Sequence, residues 1–112
     1  DVSFISLSKI LPAVFDLLSD DGEIVALVKP QFEAGREQVE KGGIVKNPLV
    51  QAEVVKNVVD SAKSLKLIFK GATYSPIKGA DGNIEFLVHL SKLGKSAELD
   101  PGKLVEEASL KL

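Results

Sequence analysis

Apolar residues recur along the chain at spacings that change abruptly, and each change marks a predicted element. Val2, Phe4 and Ile5 open the sequence as a strand-like stretch, expected to lie inside something larger because a terminal strand is otherwise unsupported. Ser8 reads as a helix cap. Ile10, Leu11, Val14, Phe15, Leu17 and Leu18 follow at the three-and-four spacing of a broad apolar face, with Pro12 expected in the tolerant first turn. Asp20, Asp21 and Gly22 form a turn, since short polar side chains and a glycine accept backbone angles that bulky residues refuse. Ile24 to Val28 is an unbroken apolar run, which predicts a strand covered on both faces by helices and hence a parallel α/β sheet.

From Pro30 to Asn47 the chain carries Gly35, Gly42, Gly43 and many charges without a period. This connection exceeds the usual length of about 4 to 6 residues, as functional loops often do. Asn47 and Pro48 are a cap and a favoured first helical residue, and Val54, Val55, Val58, Val59, Ala62 and Leu65 supply a buried stripe for a helix ending near Lys66. Leu67 to Ile77 and Ile84 to Leu90 read as two further strands. Their short link, with Gly79, Asp81 and Gly82, predicts an antiparallel hairpin. The stretch from Lys92 to Leu112 reads as a tail in which Asp100 and Pro101 could start a short helix with a thin apolar face.

This order predicts half of an open, Rossmann-like α/β sheet, mostly parallel, with an antiparallel terminal strand and helices packed on it. Residues 1–91 form that half and residues 92–112 the tail. The first strand would present an unpaired edge, so a self-associating or partner-binding module without catalysis is the alternative to an enzyme.

The chain has 112 residues, of which 45% are apolar and 27% charged, enough for one folded unit with a real core. Fourteen basic and sixteen acidic residues give a formal net charge of −2, which excludes a global positive field for nucleic acid and leaves only local contacts. With no cysteine and one histidine, disulfides, thiolate catalysis and a zinc-cysteine cluster are ruled out. Apolar runs fall short of the roughly 20 residues that span a bilayer, and a cytoplasmic location is the expectation.

Ligands of open α/β sheets bind beyond the carboxyl ends of the strands, which directs attention to Lys29 after the apolar run and to Glu85 near the hairpin turn. A lysine ending a strand is ordinarily a solvated charge, and a carboxylate on an alternating strand ordinarily faces outward. Spacing alone does not establish catalysis at either position. His89 reads as a structural or exposed histidine, and Asp20 to Glu23 as a turn without the spaced oxygens of a calcium loop.

Three segments carry more. Asp1-Val2-Ser3-Phe4-Ile5-Ser6, Leu27-Val28-Lys29-Pro30-Gln31-Phe32-Glu33-Ala34-Gly35-Arg36 and Gly82-Asn83-Ile84-Glu85-Phe86 occur in the order found in the TlyA family, also called hemolysin A or FtsJ-like, which residues 1 to 91 resemble. That family comprises S-adenosylmethionine-dependent ribosomal RNA 2′-O-ribose methyltransferases. The resemblance implies that Asp1, Lys29 and Glu85 are three members of a Lys-Asp-Lys-Glu catalytic tetrad, with Asp1 also near the methyl-bearing end of the cofactor. The first lysine, the glycine-rich cofactor loop and the RNA-binding domain of the family would precede Asp1, so the chain is expected to be inactive alone.

Within this resemblance Lys29 serves as the base that takes the proton of a ribose hydroxyl, a poor nucleophile near neutral pH. Lysine works as a base when desolvation or a neighbouring cation favours its neutral form, whereas an adjacent carboxylate acts in the opposite sense. Glu85 and Asp1 are therefore expected to orient the lysines. Phe32 could stack on an extruded base and Arg36 could meet a phosphate of ribosomal RNA, although Glu33, Glu37 and Glu40 weaken the positive field of this loop. No metal is required, because the sulfonium already activates the methyl group.

Overall fold

The structure, a computed structural model, describes residues 7–40, 42–79 and 82–112. The expected first strand, Asp1 to Ser6, lies outside the described residues, and with it the edge on which self-association was to rest.

Helix α1 covers Leu7–Leu17 and turns Leu11 into the core at 2% exposure. Its start differs from expectation. Ser8 lies inside the helix, and Pro12 sits in the helix interior, where it removes a backbone donor. The amino end is instead met from elsewhere in the chain: the Leu7 amide donates to Glu33 Oε1 at 2.9 Å. A carboxylate at a helix start satisfies an otherwise orphaned N–H and complements the helix dipole. Leu17, placed by its spacing on the apolar face, is exposed because the helix ends there and its side chain meets no partner element.

Strand β1, Glu23–Val28, leads into the four-residue helix α2, Pro30–Glu33, and then a single 3-10 turn at Arg36–Gln38. The loop predicted from Pro30 onward thus begins as helix. Lys29 keeps the extended backbone (φ −110°, ψ 100°) that a following proline favours, and Pro30 takes the first helical position.

Helix α3, Pro48–Ser64, follows its sequence signals closely. The Asn47 side chain accepts from the Leu49 amide at 2.9 Å, and Val54, Val55, Val58, Val59 and Ala62 are buried. Strands β2, Ile68–Tyr74, and β3, Phe86–Ser91, pair as the predicted antiparallel hairpin. Asp100 caps helix α4, Pro101–Lys111, by accepting from the Lys103 amide at 3.1 Å, and Leu104, Val105 and Ala108 are buried against α3 and β2.

The sheet order is β1-β3-β2, with β3 antiparallel to both neighbours. The terminal strand therefore lies antiparallel between its neighbours, as expected. The mostly parallel sheet is not found among the described residues, because β3 separates β1 and β2, the two strands that share a direction.

Expected cover on both faces of β1 also needs correction. Ala26 and Val28 are buried, whereas Val25 is 68% and Leu27 42% exposed. Pleating sends alternate side chains to opposite faces, and the described helices pack on one of them, where Val28, Phe69, Phe86, Val88 and Leu90 meet α3 and α4. On the open face Val25, Gly71, Thr73, Leu87 and His89 line a shallow apolar hollow. His89 Nε2 lies 2.8 Å from Glu23 Oε1 at the exposed surface.

Candidate functional site

The ladder between β1 and β3 ends with Val28 opposite Phe86. Lys29 directly follows β1 and Glu85 directly precedes β3, so two distant sequence segments flank the same end of this ladder. Glu85 is held in place on the β2 side, because its carbonyl accepts from the Ser75 amide at 2.8 Å and continues the pairing beyond β2.

The Glu85 side chain is 6% exposed, unusual for a carboxylate. Gln31 Nε2 donates to its Oε2 at 3.1 Å. The carboxylate also rests against Gly79, where a Cβ would collide with both carboxylate oxygens, Oε2 most closely. Gly79 is thus a glycine because the carboxylate occupies the space of a side chain.

Lys29 is half-buried, and its Nζ sits 5.9 Å from the centroid of the Phe32 ring. One turn of α2 brings the ring under the amine, an arrangement favoured by the negative face of an aromatic ring. Phe32 therefore belongs to the surroundings of Lys29. Glu33, the next residue, reaches α1. Arg36 opens the 3-10 turn, and its side chain is outside the described part of the structure, as is the whole of Asp1.

Two residues not singled out for themselves in the sequence hold the loop beside this site. Asn83, 1% exposed, accepts from the Val45 amide at 2.9 Å and donates to the Gly43 carbonyl at 2.8 Å. Gln51, on α3, donates to the Val45 carbonyl at 2.9 Å. The segment after the 3-10 turn is thereby tied to both the hairpin and α3. Asn83→Ala strands a buried amide and a carbonyl, and we expect it to lower stability by about 1–3 kcal/mol, read as a fall in the urea midpoint. The positions in the glycine-asparagine segment gave the one sequence signal for this clamp.

An amine, an amide and a carboxylate at a strand end can hold a hydroxyl and manage its proton. They do not build a cradle for S-adenosylmethionine, whose body the family resemblance assigns to a glycine-rich loop, so the described residues fit the reacting hydroxyl rather than the cofactor.

The FtsJ-like methyltransferase model matches residues 1–92. A candidate rRNA methyltransferase of Bacillus subtilis, YqxC, is 53% identical over 98 residues, which cover 88% of this chain and 35% of that protein. The 16S/23S rRNA (cytidine-2′-O)-methyltransferase TlyA of Mycobacterium tuberculosis is 44% identical over 90 residues, covering 80% of this chain and 34% of its own length. Among solved structures, a candidate hemolysin from Lactococcus lactis superposes with a TM-score of 0.90 at 47% identity, over 97% of this chain and 53% of that one. The chain spans about a third of the length of the first two relatives. With the match running through β3 and relatives of 44–53% identity covering most of the chain, this chain belongs to the FtsJ-like methyltransferase family.

Proposed function

We propose that the chain is the carboxyl-terminal part of an S-adenosylmethionine-dependent ribosomal RNA 2′-O-ribose methyltransferase, and that it is inactive by itself. The observation that carries this reading is that Lys29 and a buried, hydrogen-bonded Glu85 flank the same end of the β1–β3 ladder.

In the parent enzyme Lys29, as the neutral amine, accepts the proton of the ribose 2′-hydroxyl at Nζ while the oxygen attacks. Glu85, fixed by Gln31 and Gly79, orients the amines around that hydroxyl. Asp1, which the family resemblance adds to the same tetrad, shares that orienting role. S-adenosylmethionine supplies a methyl group already activated on its sulfonium. Phe32 keeps the Lys29 stem in place beneath the acceptor and borders the path of the RNA, where Arg36 meets a phosphate. Ribosomal RNA is the substrate, and the reaction belongs to the cytoplasm. Among the described residues no helix is long and apolar enough to cross a membrane, so membrane damage finds no spanning element there.

Two measurements test this. The parent enzyme transfers tritiated methyl from S-adenosylmethionine to ribosomal RNA, and the 112-residue chain gives no heat of binding when titrated with the cofactor. Tight binding by the chain alone, or a parent without transfer, overturns the reading.

A further inference from the structure

Gln31 combines two features that ordinary packing does not account for. Its Nε2 donates to Glu85 Oε2 across 54 residues of sequence, and its Oε1 is buried with no hydrogen-bond partner among the described residues. An ionised carboxylate only accepts hydrogen bonds, so it dictates which end of the amide faces it. The amide oxygen is then forced into a place where no described group donates to it. A buried acceptor left unpaired is costly, and an apolar side chain of similar length would avoid that cost. Such an arrangement is explained when the amide has a task at the carboxylate that outweighs it.

The surroundings say what the task is. Gly79 leaves room for the Glu85 carboxylate and Gln31 donates to its Oε2, while α2 fixes Gln31 two residues beyond Lys29. A short helix opened by Pro30 sets the spacing between the amine and the amide. Lys29 and the group that steadies Glu85 thus move as one rigid unit.

We propose that Gln31 is a positioning residue, which locks the Glu85 carboxylate in the orientation that methyl transfer requires. This rests on the function proposed above and adds to it a residue outside the tetrad. Gln31 acts through Glu85 and makes no contact with RNA. Replacing it therefore alters the rate of the bound complex and leaves RNA affinity unchanged.

Two variants and two readouts test the inference. In the parent enzyme, Gln31→Met, which keeps length and removes the donor, lowers kcat at least tenfold with KM for ribosomal RNA within twofold of native. Gln31→Glu sets a second carboxyl beside the first. It replaces the donor by an acceptor, so kcat falls at least as far as in Gln31→Met with KM again within twofold of native, a split that a merely structural role would not produce. A Gln31→Met enzyme with native kcat, or one in which KM alone changes, overturns the proposal. So does a Gln31→Glu enzyme with native kcat.

The second readout does not depend on methyl transfer. In the 112-residue chain, the carboxyl carbon resonance of Glu85 shifts and broadens in Gln31→Met as the carboxylate samples several orientations. An unchanged resonance overturns the positioning role even where the parent is active. If the native parent fails to methylate RNA, the reading of function falls, and the catalytic role of Gln31 falls with it, whereas the resonance still decides whether the amide orients Glu85.

Discussion

Lys29→Ala in the parent enzyme abolishes measurable transfer of tritiated methyl to ribosomal RNA while the fold is retained. A positioned general base contributes typically 10²- to 10⁴-fold, so removing the amine leaves about a hundredth or less of the rate. The fold survives because Lys29 lies past the end of β1 and outside the core cluster. Its described aromatic contact, with Phe32 at 5.9 Å, amounts to about 1 kcal/mol at most at such a half-exposed place. Circular dichroism and the urea midpoint check that the variant is folded. Undiminished incorporation by a folded variant would dismiss Lys29 as the base and leave the family assignment untouched.

Phe86→Ala produces the largest loss of stability. Phe86 is fully buried, opposes both Val28 and Tyr74 across the ladders, and begins the central strand. Truncation to alanine forfeits the transfer free energy of the ring and leaves a cavity that close-packed neighbours fill only in part, at a cost of about 3–5 kcal/mol. Against a total of about 5–15 kcal/mol for a domain of this kind, that is enough to populate the unfolded chain visibly at room temperature with mild denaturant. Equilibrium urea unfolding of the 112-residue chain reads it directly. A midpoint within error of native would mean that the end of the ladder is not part of the cooperative core.

Much of the framework was legible because its signals are local. Asn47 with Pro48, and Asp100 with Pro101, pair a capping side chain with a residue preset for the first helical turn, and both helices start there. The valines of α3 recur at helical spacing and are buried on that stripe. The hairpin of β2 and β3 followed from the glycines in its link and from a connection too short for a crossover. Lys29 and Glu85 stood out as polar residues at the ends of apolar strands, and they flank the same end of the β1–β3 ladder.

Other features depend on partners that lie far away in sequence. Ser8 looked like the cap of α1, yet Glu33 meets the first amide from 26 residues away. The apolar run of β1 suggested two covered faces, but composition cannot state on which side helices will pack, and Val25 and Leu27 remain exposed among the described residues. Gln31 and Asn83 carried no periodic signal, since their roles arise from contacts spanning 54 and 40 residues.

The sequence by itself determined where helices begin, which stripes are apolar, the hairpin, and, through three ordered segments, the family. Steric and hydrogen-bonding preferences within a few residues suffice for those outcomes. Tertiary structure alone decided the open face of the sheet and the enclosure of the Glu85 carboxylate by Gln31 and Gly79. A buried polar group is stabilised by whichever donor the chain path brings to it, and that path is settled only when the whole core packs.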